Sequence, residues 1–189
     1  MKPGDEARTI RNDSAKESTL TSEWTMLTEE EKQEIEEELS HYPTKRAGGV
    51  EALKIVQRRR GWISDDTLRA VASIVGMPPA ELDRLATFYN LIFRKPVGRH
   101  VLLVCDSISC WLMGSERVRT RLRERLDVDL GGTTKDGNCT LLPIVCLGAC
   151  DRAPTLMIDE TLYGPLTEDE VDRILDAHKV QDEGHGQDA

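Results

Sequence analysis

His100-Val101-Leu102-Leu103-Val104-Cys105-Asp106-Ser107-Ile108-Ser109-Cys110 joins a short apolar run to two cysteines with four residues between them. The run is rich in β-branched residues and reads as a buried strand that delivers Cys105 at its end. Thirty-five residues separate Cys110 from a second pair, and the pattern recurs: Leu141-Leu142-Pro143-Ile144-Val145 reads as a second strand delivering Cys146 of Cys146-Leu147-Gly148-Ala149-Cys150. Two such loops facing each other offer four sulfurs, a number that suits a [2Fe–2S] cluster or a tetrahedral zinc. Gly148 lets the backbone pass close to a bulky inorganic group, and Pro154 sets the path on which it leaves.

Spacing alone leaves both metals open. For iron–sulfur, four thiolates around two ferric ions and two sulfides make a dianion, and one more electron makes it more negative still. The Leu147-Gly148-Ala149 backbone can aim N–H groups at the sulfurs, and Arg152 lies near in sequence, so charge compensation is available. Trp111, next to Cys110, either shields a metal from water or packs against the fold. The arrangement is not that of plant-type ferredoxins, whose cysteines crowd into one tight run. Nor is it a thioredoxin active site, because no Cys-x-x-Cys is present.

Around the two cysteine loops, Glu116–Leu126 has a helical stripe of Val118, Leu122 and Leu126. Thr155–Ile158 and Thr161–Tyr163 form a hairpin about Asp159 and Glu160, and Thr167 caps a closing helix to about His178 with Val171, Ile174 and Leu175 inward. The order strand, helix, strand, strand, strand, helix makes an α/β sandwich over residues 96–180. Before Pro96-Val97-Gly98 the period is helical. Thr28 and Glu31 form a capping box for a helix with Ile35 and Leu39 buried, closed by Pro43. A second helix spans about Ala47 to Arg60 with Val50, Leu53, Val56 and Gln57 on one face. Ser64 opens a third, with Leu68, Val71, Ala72 and Val75, and Pro78-Pro79 a fourth, with Leu82, Leu85, Ala86 and Tyr89. Residues 25–95 are thus a small helical domain. Residues 1–24 lack apolar period and read as a flexible acidic tail, and 181–189 as a flexible C-terminal tail.

Composition bounds the rest. The 189 residues carry a formal charge of −9, with −7 in residues 1–40 and −3 in 176–189. The near-neutral middle and the overall acidity speak against nucleic acid and leave protein docking and plain solubility as readings of the ends. No run approaches the roughly 18 apolar residues of a membrane span, and the start has no secretory core, so a reducing cytoplasm is expected, where clustered cysteines serve metals. The fifth cysteine, Cys139, reads as a small buried hydrophobe. His41, His100, His178 and His185 have no ligand spacing and read as surface or packing residues.

Tyr42-Pro43, Glu51–Gln57, Arg60-Gly61-Trp62, Ala86-Thr87-Phe88-Tyr89, Pro96–His100, both cysteine loops and Asp136-Gly137 together resemble the 24-kDa-type subunit of respiratory complex I, in bacteria the E subunit of NADH-quinone oxidoreductase. The resemblance runs from about residue 26 to 178. It implies a helical part followed by a thioredoxin-like ferredoxin domain, and one [2Fe–2S] cluster on Cys105, Cys110, Cys146 and Cys150. It also implies an electron-transfer role beside a flavin-bearing, NADH-oxidising partner of the F type, on the inner side of the bacterial membrane. Related subunits in NAD-linked hydrogenases and formate dehydrogenases, and a zinc-stapled assembly module, are the alternatives. FMN and NAD are expected on the partner, since this chain lacks a Gly-rich nucleotide loop. No catalytic residue is assigned. Cys139 departs from the family, which usually has an aromatic residue there.

Overall fold

The computed structural model describes residues 27–184, with side chains to His178. The tail expected over residues 1–24 and His185 lie outside the described residues. The chain forms two compact units that meet in sequence between Lys95 and Pro96.

The first unit is helical: α1 (Glu29–Leu39), α2 (Gly49–Arg60), α3 (Asp65–Val75) and α4 (Pro79–Phe88), with a 3₁₀ turn at Lys45–Gly48 leading into α2. Thr28 caps α1 by accepting the Glu31 N–H at 3.1 Å, and the Glu31 carboxylate accepts the Thr28 N–H at 2.8 Å, closing the expected box. Ser64 caps α3 by accepting the Thr67 N–H at 3.1 Å, and Gly76 ends it in a left-handed conformation. Ile35, Leu53, Ile63 and Leu82 are fully buried in one cluster with Val56, Val71 and Val75. Burying each of the larger side chains contributes about 1.5–3 kcal/mol relative to leaving it exposed.

Three details of this unit differ from the sequence reading. The buried face of α2 is Ala52, Leu53, Ile55 and Val56, not Val50 or Gln57. Gln57 instead donates to the Leu91 carbonyl at 2.7 Å and accepts the Phe93 N–H at 2.6 Å, pinning the segment after α4. Tyr89 falls just past the end of α4 and is exposed, because the chain has already turned to extended backbone there. Glu31, placed by sequence as a cap alone, is 2 % exposed and receives Arg60 through Nε at 2.7 Å and Nη2 at 2.5 Å.

The second unit contains β1 (His100–Cys105), α5 (Ile108–Leu112), α6 (Ser115–Leu126), β2 (Cys139–Ile144), β3 (Leu156–Ile158), β4 (Thr161–Tyr163) and α7 (Glu168–Gly184). The sheet order is β2-β1-β3-β4, with β1 parallel to β2 and antiparallel to β3. Flanked on both sides, β1 buries Val101 to Cys105 without interruption, which is why its sequence is continuously apolar. Leu102, Val104, Leu141, Leu156 and Ile158 meet the expected stripes of α6 and of α7 (Val171 and Leu175), with Ile174 only partly buried. Asp172 of α7 accepts from Arg121 at 2.9 and 2.6 Å and pairs with Arg125 at 2.6 Å, tying the two helices.

The sheet edges are short or covered. Along β2, Leu141 exchanges backbone bonds with Gly131 and Gly132 at 2.7 and 3.0 Å, and Pro143 follows, exposed and without an N–H. At the other edge β4 is three residues long. Two elements depart from expectation. A short helix, α5, occupies the first cysteine segment, and α7 continues to Gly184, into the stretch read as a tail, because no Gly or Pro interrupts it before that residue.

Gly98 marks a close approach. Its N–H donates to Thr140 Oγ1 at 2.6 Å, and a Cβ there would lie 2.9 Å from the Asn138 carbonyl and the Cys139 backbone. Gly98→Ala should therefore lower the unfolding free energy in urea by about 1–3 kcal/mol, the usual cost of overpacking against unyielding atoms. Among the described residues no helix is long and apolar enough to cross a membrane.

Candidate metal centre

The parallel pairing of β1 and β2 sets the site. Cys105 is the last residue of β1 and stands in register with Ile144, the last of β2, so both chains leave the sheet at the same end. The Asp106 N–H donates to the Ile144 carbonyl at 2.8 Å, and the Cys105 N–H to Thr155 at 3.2 Å, fixing the exit of the first segment between its neighbours. Ser107 then opens α5, whose single turn brings Cys110 back beside Cys105. At 2 % and 1 % exposure the two side chains are buried together with Ala153.

The second pair is different. Cys146, two residues beyond β2, and Cys150, which starts a 3₁₀ turn (Cys150–Arg152), are both exposed. Gly148 has φ +75°, a left-handed conformation that a side chain would strain, and its N–H donates to Cys146 Sγ at 3.3 Å. Leu147, between the two exposed cysteines, packs against Cys105 and Cys110, and its N–H points at the Cys105 sulfur. The two pairs thus meet through Leu147. Among the described residues no three cysteine, histidine or acidic side chains already converge as a metal cage.

Electrostatics divides the buried pair. Burial works against a Cys105 thiolate, but the N–H groups of Ser107 and Leu147, with Cys110 and Thr155, outweigh it and hold the thiol below the ordinary cysteine value. Burial pushes Cys110 up, and the neighbouring Cys105 adds to that against the opposing Thr155 hydroxyl, 3.6 Å from its sulfur. Of the pair, Cys105 is the readier to carry negative charge.

Sequence reasoning missed three contributors. Thr155 is buried at the start of an apolar strand, a placement that itself calls for a partner. Arg119, in α6, pairs with Asp106 beside Cys105 and has its Nε buried without a hydrogen-bond partner. Arg152, expected to be the compensating cation, is exposed and reaches only Asp151 at 3.8 Å. The third is α5 itself, which turns Ile108, Leu112 and Met113 outward. Trp111, 58 % exposed, therefore does not pack into the core.

Of the other cysteine and histidines, Cys139, His100 and His178 lie toward the far end of β1. Cys139 is half-buried on the core opposite His100, His100 bonds Asp159 at 2.7 Å, and Tyr163 bonds His178 at 3.2 Å; His41 is on the surface. A cavity of about 480 Å³ lies there between the two histidines and Arg125, Lys135 and Asp127. Its charged groups are paired within the protein, Lys135 with Asp127 and Arg125 with Asp172 and Asp176.

The model of the thioredoxin-like [2Fe–2S] ferredoxin family matches residues 35–179, which include all five cysteines. The E subunit of NADH-quinone oxidoreductase from Pseudomonas aeruginosa is 46 % identical over 153 residues, covering 81 % of this chain and 92 % of that one. The chain belongs to this E-subunit family. The Escherichia coli K12 member is 44 % identical over the same length, with 81 % and 92 % covered. Membership makes the chain an oxidoreductase subunit of the electron-transfer type and bears out the resemblance carried by the motifs. An NAD⁺-reducing [NiFe]-hydrogenase in the air-oxidised state shares the fold at TM-score 0.62 and 22 % identity; the match covers 71 % of this chain and 23 % of that longer one.

The site suits the group for which the ferredoxin family is named. The four cysteines that would hold it offer only thiol donors, and space beside Gly148 is open where a side chain would stand.

Proposed function

We propose that Cys105, Cys110, Cys146 and Cys150 hold one [2Fe–2S] cluster. Through it the chain exchanges single electrons with FMN on an adjacent NADH-oxidising partner of the F type, in the peripheral arm at the cytoplasmic face of the membrane. The observation that carries the reading is the exit of two cysteine segments from the same end of two parallel strands. When bound, such a cluster supplies a one-electron redox step without proton chemistry. The chain's own groups prepare for that charge. Ser107 and Leu147 direct N–H groups at Cys105, Gly148 directs one at Cys146, and the Thr155 hydroxyl stands against Cys110. NADH and FMN belong to the partner on this reading, and the helical unit and the ferredoxin unit are separate domains of one carrier.

Anaerobically purified protein should contain about two iron and two sulfide per chain and give an EPR signal on reduction. A colourless protein carrying zinc alone would refute the reading. Co-purification with a flavin-containing partner tests the electron donor. Thr155→Val should keep the cluster and lower its potential by roughly 40 mV, since the lost O–H donor favours the more negative reduced state by about 1 kcal/mol. Redox titration followed by EPR reads the shift.

A further inference from the structure

We propose that Cys146 and Cys150 are the thiols that first take hold of an incoming [2Fe–2S] core, and that Cys105 and Cys110 close on it second, once the Leu147 side chain has moved off them. The proposal rests on the reading of these four cysteines as ligands and adds an order to it.

The four thiols are equivalent in chemistry and unequal in access. Cys146 and Cys150 are open to solvent, whereas Cys105 and Cys110 are 2 % and 1 % exposed. A core carried by another thiolate ligand set is too large to reach the buried sulfurs, so attack on its iron must begin at the exposed ones. The cover over the buried pair is part of the same segment. Leu147 sits between the two exposed cysteines, packs on the buried cluster of Cys105, Cys110 and Ala153, and directs its N–H at Cys105. Whatever pulls on Cys146 and Cys150 therefore pulls on Leu147.

The segment is loosely packed. Val145, before Cys146, is 80 % exposed and has left the sheet, and Gly148 meets nothing within 4 Å of where a side chain would be. Its ends are held, by Ile144 in β2 and by the Thr155–Cys105 backbone bond. These anchors flank the residues that carry the exposed thiols and Leu147.

Each exchange balances. A cysteine sulfur forms a bond to iron as a donor thiolate leaves it, and the proton lost by the cysteine goes to the departing thiolate. Iron and sulfide keep their oxidation states throughout, and no oxidant or reductant is needed. The donor class is a [2Fe–2S] carrier with thiolate ligands, for which the glutathione-ligated [2Fe–2S] complex serves as the probe.

Two measurements on the full, reduced, metal-free chain test the order. Under limiting iodoacetamide, with label read cysteine by cysteine by mass spectrometry, Cys146 and Cys150 should react at least about tenfold faster than Cys105 and Cys110. On mixing with the glutathione complex, a C146A/C150A chain should lose at least about tenfold in the second-order uptake rate. A C105A/C110A chain should keep that rate within about twofold and stop with glutathione still on iron, as seen by native mass spectrometry. Equal labelling of all four thiols, or loss of the second-order step in C105A/C110A, would overturn the order. A wild-type chain that takes zinc and never the cluster overturns the underlying reading and the order with it, and metal analysis tells that outcome apart.

Discussion

Arg60→Met is expected to lower the unfolding free energy by about 3–5 kcal/mol at neutral pH, because it leaves the Glu31 carboxylate buried without its cation. Glu31 is 2 % exposed, and Arg60 grips both of its oxygens, at 2.7 and 2.5 Å, while Thr67 Oγ1 lies 3.3 Å from the same guanidinium. The loss is a desolvated charge left alone rather than one contact removed. Burial raises the Glu31 pKa in the native protein, but the bonds from Arg60 and the Thr28 N–H outweigh it and bring it below the ordinary glutamate value. A group depressed in this way stabilises the fold fully above its unfolded value, and the contribution fades as pH falls from there through the native one. In Arg60→Met the sign reverses, since burial then dominates and the folded state binds the proton more tightly. The deficit relative to wild type should shrink on acidification through that window, which urea melts at stepped pH would measure. A deficit constant with pH would argue that packing, not charge, is what Arg60 provides.

Purified without glutathione or another thiol to fill the vacated position, Cys110→Ala should take iron from about two per chain to near zero while leaving the fold standing. Alanine is a better helix former than cysteine, so α5 keeps its turn, and the vacated volume is that of one sulfur. The Thr155 hydroxyl loses a 3.6 Å partner, a cost of about 1 kcal/mol or less. Metal analysis and circular dichroism on the same sample separate ligand loss from unfolding. Full cluster content in Cys110→Ala would remove Cys110 from the ligand set.

What can be read from sequence tracks how locally each feature is encoded. The caps at Thr28 and Ser64, the stop at Gly76 and the hairpin about Asp159 are written within four residues, and all are present in the structure. The central strand announces itself by its unbroken apolar run. The α2 face differs from its sequence reading because Gln57 lies on the same helical stripe as true core residues. Its role is set by the chain at Leu91 and Phe93, more than thirty residues away. The cysteine pairs are legible from spacing, but not the difference between them. Burial of Cys105 and Cys110 depends on α5 and on Leu147 arriving from the second strand, and α5 is too short to show a period. Arg119 and Asp106, thirteen residues apart, meet only because α6 folds back along the sheet.

The treatment of the sheet margins bears on the time before this chain joins a larger assembly. An isolated sheet with open sides invites another chain to add a strand, and newly made subunits wait in company with many copies of themselves. Here Gly131 and Gly132 shield half of one side, Pro143 offers no donor along the rest, and β4 is too short to template a neighbour. A copy without its partners thus offers, on this sheet, little open edge for a second copy to extend.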